Sequence, residues 1–485
     1  MRQERTWQFL VLLTASTGCA MTVLDTNIVA IILPGVARAF SASFAEVEWV
    51  ISSYVLCFAA LLLPAGAMAD RYGRRRVFLC GILLFSLASL ACALAWSVAS
   101  LSIARAAQGM GAAFLLAPAL AIIGHSFHGE AERNHAWGVW GSMMGLTMVL
   151  APITGGVIAR VAGWRWAFGI NLPVCALLAL AVWSWIGESR DHDARRVDPV
   201  GILLFASTMF GITFALIGGG SFGWLLGGLG LMAFIQAERM QQRPMLDLTL
   251  FRLPRFIGAV LAMFAYAATA QVMASLLPQF LQNGLGRSAL QAGFGMLPFA
   301  VTMLILPRVG RRLSAYLSSR GILTLGLVIV ALGNGLTGYG AYSSSWPLVA
   351  LGMLLLGSGG GLLNGETQKA IMSTVPRDRA GMASGISTTA RFSGILLGFT
   401  ALSGVLGGAI RSWISTQPCD GAEACAGLRR WADSVAAGAA ESGGHLPGAD
   451  WSHQAYAHGF SVLLLVAALA AVIAAAAVCR LMRSR

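Results

Sequence analysis

The sequence predicts an all-α membrane protein of fourteen transmembrane helices, two six-helix halves with two extra helices between them. Three observations carry this. Of 485 residues, 57% are hydrophobic and only 11% charged, where a soluble globular chain carries about 25% charged residues. Apolar runs recur from end to end, most of them near the roughly 20 residues that a spanning helix needs. The runs are uniformly apolar, whereas barrel strands alternate. In hydrocarbon, only helices or closed barrels pair every backbone group, so helices follow.

The first six spans are expected at 8–33, 46–68, 77–97, 101–125, 136–159 and 166–186. The first run follows Arg2 and Arg5, as a secretory leader would. It has no small-residue cleavage site and it carries Asp25, so it reads as an uncleaved span. A polar stretch at 187–198 ends this half. The runs 200–217 and 222–237 come next; the second is short. Both contain little except Gly, Leu, Phe and Ala, which suits a peripheral position. A second polar stretch, 238–255, precedes the last six spans at 256–281, 290–309, 321–341, 346–370, 384–410 and 459–480. The expected division is therefore 1–190, an N-terminal six-helix half; 191–255, a two-helix insert with its flanks; and 256–485, a C-terminal six-helix half. The last part holds a Gly/Ala/Ser-rich loop at 411–455, expected to be mobile. Two six-span halves suggest a duplication around a central path with a site near the midplane.

Net charge is +13. In a soluble protein that would point to nucleic acid; here topology accounts for it. With the N-terminus placed in the cytoplasm, 24 of the 33 Lys and Arg residues fall on inside segments and seven outside. Arg105 and Arg391 lie within spans. This asymmetry places both termini in the cytoplasm by the positive-inside rule and supports an even number of spans. Six of the eight cysteines lie in or near spans and read as small apolar residues. Cys419 and Cys425 share the long outer loop, where a disulfide and two free thiols are both open readings.

The densest polar segment is Gly66-Ala-Met-Ala-Asp70-Arg71-Tyr-Gly73-Arg74-Arg75-Arg76, between spans two and three. A weak echo, Pro307-Arg308-Val-Gly310-Arg311-Arg312, falls at the matching place in the second half. Within the spans, charge is rare and costs about 2.5–3.5 kcal/mol at a helix centre, so each instance needs a partner, water or a function. Asp25 lies deep in span one. A desolvated carboxylate holds a proton more readily, which a proton-coupled carrier needs; the competing reading is a structural lock to Arg105. Arg105, in Arg105-Ala-Ala-Gln108-Gly109-Met-Gly111, is a permanent cation able to tune a nearby acid; the competing reading is an arginine snorkelling to an interface. In span five, Gly141 and Gly145 form a small-xxx-small pair, and Ala151-Pro152-Ile-Thr-Gly155-Gly156 adds a bend. Together they suit a close-packed hinge seam, although membrane helices often pack this way. Trp164-Arg165-Trp166 fits an interfacial aromatic belt, which leaves Arg165, Asn171 and Pro173 unexplained.

Several chemistries are excluded. The single lysine, Lys369, sits in no GxxxxGK[ST] loop, and HExxH is absent. Gly219-Gly-Ser221-Phe-Gly223 matches GxSxG only by letter, because a nucleophile elbow needs a preceding strand. His125 and His128 read as a polar helix end. No enzyme, metal site or cofactor is expected.

Taken together, these segments resemble the major facilitator superfamily, in particular its fourteen-span drug:proton antiporters. The resemblance runs through Leu24-Asp25-Thr26 with Leu33-Pro34, Trp49 and Tyr54, Gly66 to Arg76, Arg105 to Gly111, and the span-five segment with Ala151 where glycine is usual. It continues through Trp164 to Pro173 and Pro376 to Gly385. It implies a rocker-switch exporter of small amphiphiles driven by proton entry, in a bacterial cytoplasmic membrane. The alternatives are a dedicated exporter of one endogenous metabolite or toxin, or, further off, a membrane enzyme or channel. By this resemblance Asp25 and Arg105 couple the proton, and Asp25, Trp49, Tyr54 and Gln108 line a substrate cavity. Gly66, Asp70, Arg71, Gly73 and Arg74 form a conformational latch, with Asp70 meeting a helix N-terminus of the other half. The arginines there would hold acidic partners or lipid headgroups. Glu366 is the main acid of the second-half spans, and this scarcity argues against dicationic cargo. Expected partners are the small-molecule substrate, protons and membrane lipid, with a periplasmic adaptor left open and no nucleic acid.

Overall fold

The computed structural model describes residues 2–127, 129–190, 198–241, 248–375, 380–417, 422–439 and 449–483. Among these residues there is helix and no strand. The first half comprises α1 (Arg2–Phe40), α2 (Phe44–Tyr72), α3 (Arg74–Ala93), α4 (Val98–Ser126), α5 (Glu130–Val161) and a sixth span made of α6 (Trp166–Gly169) and α7 (Asn171–Trp185). Local chemistry sets the ends. Ser43 caps α2 and Ser97 caps α4, each in a reciprocal capping box. Gly73, at φ +116, separates α2 from α3, a conformation that favours glycine. Glycines also set how closely the spans pack. A Cβ on Gly109 would collide with the Tyr54 carbonyl of α2, and one on Gly111 would meet the Phe85 backbone of α3.

Residues 199–240 are helical almost without a break, yet a straight helix of that length would run about 63 Å, twice the hydrocarbon thickness. The chain instead reverses at Gly218 (φ +118) and Gly220 (φ +58). The arms α8 (Pro199–Phe214) and α9 (Gly220–Met240) pack antiparallel: Gly211 lies on Gly227, Ala215 on Gly223 and Thr208 on Gly230. These are the two expected middle spans, and they bring the count to fourteen. They are peripheral on one side only. Leu203, Phe222, Trp224 and Leu229 are exposed, while Phe210 and Phe214 pack on Trp49 of α2.

The second half begins with α10 (Pro254–Tyr266) and α11 (Met273–Gln279), joined and followed by π-helical turns at Ala267–Gln271 and Phe280–Gly284. Next come α12 (Ala289–Gly295), α13 (Leu297–Leu313), α14 (Ser319–Tyr342), α15 (Trp346–Ser373) and α16 (Ala380–Ser415). After the outer-loop helix α17 (Ala422–Ala437), the chain ends in α18 (Ala449–Leu481). Among the described residues the halves meet along two long seams, and α1 also packs on α11. Along one, α2 runs antiparallel to α16, with Phe44 on Gly407, Leu63 on Gly385, and the Phe58 and Phe392 rings 4.4 Å apart. Along the other, α5 packs on α12 and α13.

The loop at 411–455 departs from expectation. Instead of a mobile stretch, its centre is α17, whose Leu428, Trp431, Ala432 and Val435 are buried. The i, i+3, i+4, i+7 spacing of those four makes one apolar face, which the Gly/Ala/Ser composition hides. Cys419 lies outside the described residues, as does the side chain of Cys425, so the disulfide reading does too; so do His128 and Pro376 to Arg379.

Candidate functional site

A buried polar cluster is assembled from five spans of the first half. Asp25 comes from α1, Tyr54 and the Val50 carbonyl from α2, Ser89 from α3, Arg105 and Gln108 from α4, and Asn171 from α7. Arg105 Nη1 lies 2.5 Å from Asp25 Oδ2, and both side chains are 1% exposed. Asp25 Oδ1 accepts from Gln108 Nε2 at 2.8 Å and from Asn171 Nδ2 at 3.0 Å. Ser89 Oγ accepts from the same two amides at 2.7 and 3.2 Å. Arg105 also donates to Gln108 Oε1 at 2.7 Å and, through Nε, to the Val50 carbonyl at 3.2 Å. Its guanidinium lies 4.1 Å from the Tyr54 ring centroid, a cation–π distance. Two desolvated charges are tolerated only where geometry and further hydrogen bonds offset several kcal/mol of desolvation per ion. Here both carboxylate oxygens and two faces of the guanidinium are engaged. Arg105 therefore does not snorkel.

The expected cavity wall is only partly brought together. Asp25, Tyr54 and Gln108 meet in this cluster. Trp49 does not: its ring lies 5.7 Å from Phe210 and 6.5 Å from Phe214, on the side of the inserted hairpin. Trp49 and Tyr54 are five residues apart, which on an α-helix turns them to different faces. The unexplained residues near the sixth span find partners. Asn171 holds Asp25, and Arg165 donates to the Ala95 carbonyl at 3.1 Å and stacks 4.3 Å from Trp164.

In the segment from Gly66 to Arg76, Asp70 Oδ1 accepts from Arg74 Nε at 3.0 Å and Nη2 at 2.8 Å. A Cβ on Gly73 would meet the Glu188 carboxylate. Glu188 accepts from the Arg75 amide at 3.2 Å, and Arg75 Nη2 donates to the Trp183 carbonyl at 2.8 Å. Gly66 faces Ala117 of α4 in ordinary contact, and Arg71 lies over the Tyr72 ring at 5.5 Å. Asp70 is thus paired within its own connection, with Arg74. The α2/α16 register nevertheless brings Asp70 level with the start of α16.

In span five, Gly155 and Gly156 face opposite ways. A Cβ on Gly155 would lie 3.2 Å from Ile28 Cα of α1; one on Gly156 would lie 2.7 Å from the Ala289 carbonyl oxygen of α12. The two let α5 fit between its own half and the other. Pro152 presents its carbonyl to Gly293 of α12, and Gly145 abuts Leu304 of α13. Gly141 has nothing within 4 Å of where its Cβ would be, so it takes no part in the close approach.

Two features escape sequence reading, and a third, Arg391, is visible there only as an arginine within a span, with no role assigned. Ser89 is one hydroxyl in an apolar span. Glu48, 3% exposed on α2, faces Ser403 of α16, with Arg411 nearby; its only signal is an acid just inside an expected span. Arg391 donates to Gln271 Oε1 at 2.9 Å and Asn364 Oδ1 at 3.0 Å and lies 5.9 Å from the Tyr266 ring. Its partners are neutral amides, whereas Glu366 pairs with Lys369 at 2.9 Å.

The model of the Major Facilitator Superfamily matches residues 15–399. Multidrug resistance protein Stp of Mycobacterium tuberculosis (strain CDC 1551 / Oshkosh) is 34% identical over 417 residues, covering 84% of this chain and 77% of that protein. The tetracenomycin C resistance and export protein of Streptomyces glaucescens is 28% identical over 492 residues, covering 96% and 90%. Among solved structures, a bacterial homologue of the human lysosomal transporter Spinster, inward-facing and occupied, superimposes with a TM-score of 0.70 at 19% identity, over 99% of this chain and 97% of that one.

Proposed function

The chain belongs to the major facilitator superfamily, and on that premise we propose that it is a proton-driven exporter of drugs or small amphiphiles. The family makes it a transporter of small molecules and not an enzyme. The names of its relatives, multidrug resistance and tetracenomycin export, support efflux. The observation that carries proton coupling is the Asp25–Arg105 pair, buried at 2.5 Å and tied to Gln108 and Asn171. Protonating Asp25 would cancel the ion pair and loosen contacts between three spans at once, the first, fourth and sixth. Proton uptake and a change of helix packing would then be one event.

The remaining assignments follow from this reading. The halves are 1–190 and 256–485, with 191–255 as an insert leaning on the α2/α16 seam. Both termini face the cytoplasm by the charge asymmetry, which makes the membrane the cytoplasmic one. Asp70 and Arg74, with Gly66, Arg71 and Gly73, act as a latch at the cytoplasmic end of the α2/α16 seam. Gly145, Pro152, Gly155 and Gly156 form the seam on which the halves rock. Arg391, with no carboxylate partner among the described residues, favours neutral or weakly acidic cargo over dications. The second reading is a dedicated exporter of one toxic metabolite. It draws on the tetracenomycin exporter, which aligns along almost all of this chain.

The test is transport in vesicles of purified protein under an imposed pH gradient, with a diverse panel of amphiphiles. Accumulation should follow the gradient and collapse with an uncoupler. Transport that ignores the uncoupler would overturn proton coupling.

A further inference from the structure

Four acids are buried among the described residues: Asp25, Glu48, Glu238 and Glu366. Asp25 is paired with Arg105, and Glu366 with Lys369. Glu238 lies inside the insert, against Gly201. Glu48 stands where the halves meet, at the end of α2 opposite the Gly66–Arg76 connection. It has no ion pair among the described residues, and its Oε1 accepts no hydrogen bond. The Ser403 hydroxyl faces it from α16. Phe44, one turn earlier on α2, covers Gly407 of α16. On the other side Trp49 packs on Phe210 and Phe214, and the Leu216 carbonyl reaches Gly404 of α16. Both halves and the insert therefore combine to keep water from this one carboxyl.

The charged groups described around it are engaged elsewhere. Arg411 of α16 is nearby, but its Nε donates to Asp433 of α17 at 2.7 Å and its guanidinium lies 5.9 Å from the Phe44 ring. On α2 itself, Glu46 caps the helix through Ser43. From α4, Arg105 reaches the Val50 carbonyl but is paired with Asp25. At the end of α1, Arg38 donates to the Gly438 carbonyl at 3.4 Å. The insert has no ionisable residue between Phe205 and Gly223. A bare carboxylate in such a place is far more costly than the neutral acid, which can also donate a hydrogen bond. That cost exists only while α2 and α16 are closed here, because parting them admits water.

We propose that Glu48 is a second proton site, which takes a proton from the outer solvent as this end of the α2/α16 seam closes and returns it there as the seam opens. The charge asymmetry makes this end the outer one. The proton does not cross the membrane; it makes closure of the outer seam acid-dependent, apart from the proton assigned to Asp25. An acidic exterior, the condition that drives proton entry, then also favours resetting the carrier once cargo has left. The inference rests on the alternating-access reading, but its test reads closure and protonation, not export, so each can fail without the other.

Infrared spectra of the full-length protein in vesicles read the site directly. At about pH 5.5, above the ~4.3 of a hydrated glutamate, the wild type should show a protonated-carboxyl band that shifts in heavy water and is missing from Glu48→Gln. Spin labels at Ser41 and Ser412, beside the outer ends of α2 and α16, measure the closed fraction. In the wild type the ratio of closed to open should rise on acidification, by up to about tenfold per pH unit for each linked proton. Glu48→Gln, which mimics the neutral acid, should weaken that response. It should abolish what remains in Asp25→Asn/Arg105→Gln, which lacks the other proton site. Asp433→Asn frees Arg411 to pair with an ionised Glu48, so it should also weaken the response. Absence of the band, or a closure response that Glu48→Gln leaves unchanged, would overturn the proposal.

Discussion

The Asp25 carboxylate and the Arg105 guanidinium meet at 2.5 Å, each 1% exposed, and join the first and fourth spans. Removing one partner of a buried pair strands the other charge and costs about 3–5 kcal/mol. Asp25→Asn should therefore abolish gradient-driven efflux and also lower the unfolding midpoint in detergent. Asp25→Asn/Arg105→Gln removes the stranded cation, so it should regain most of the stability without regaining transport. If the double variant exports under a pH gradient like the wild type, the pair is a structural lock and Asp25 does not carry the proton.

Gly156 and Gly141 separate a seam contact from a mere glycine. A methyl at Gly156 would press on the Ala289 carbonyl and Leu290 Cα, backbone atoms of the opposite half; overpacking of this kind costs about 1–3 kcal/mol. The strain exists only while the halves are closed here, so Gly156→Ala should bias the carrier towards separation of α5 from α12. Cysteine crosslinking between those helices should slow, and export should fall. Gly141→Ala meets open space and should leave both unchanged. Equal behaviour of the two variants would contradict the seam assignment.

Much of this architecture is legible in the sequence because the bilayer imposes a coarse rule: length and hydropathy alone mark spans. The short run at 222–237 was readable for that reason, and the structure adds that Gly218 and Gly220 turn it back on its neighbour. Asp25, Arg105 and Gln108 stand out because charge and amide groups are costly in lipid. The partnership of Asn171 with Asp25 does not, because their contact depends on how α7 is rotated, which no periodicity in an all-apolar helix reports. Trp49 misleads for the same reason: an aromatic suits a cavity wall and a lipid-side contact equally well. The α17 helix was hidden by composition, since alanine and glycine serve a tight helix contact as well as a loose loop.

At that helix, two kinds of contact can be ranked. Asp433 pairs with Arg411 at 2.7 Å, but the side chains are 54% and 50% exposed, and exposed pairs contribute about 0–1 kcal/mol. Trp431 is 5% exposed, and truncating a buried aromatic costs about 3–5 kcal/mol. Trp431→Ala should therefore release α17, seen as rapid hydrogen exchange over 422–437, while Asp433→Asn should change it little. The reverse order would mean that α17 is held by charge.

Arg391 offers the sharpest test of cargo. Its fork spans Gln271 on the turn after α10 and Asn364 on α15, so the cation is held in place without being neutralised. A lysine there keeps the charge but not the two-pronged geometry; a glutamine keeps neither. If the charge selects cargo, Arg391→Gln should lower export of acidic amphiphiles on the order of tenfold, the value of about one 1.4 kcal/mol contact, and spare neutral ones. Arg391→Lys should retain acid export in part. Arg391→Glu should reverse the preference towards monocations. The three variants are compared by the ratio of acidic to neutral export in the same vesicles, which cancels differences in expression and folding. An unchanged ratio across the series would show that Arg391 only braces α10 and α15 against α16, and the preference for neutral or acidic cargo would fall with it.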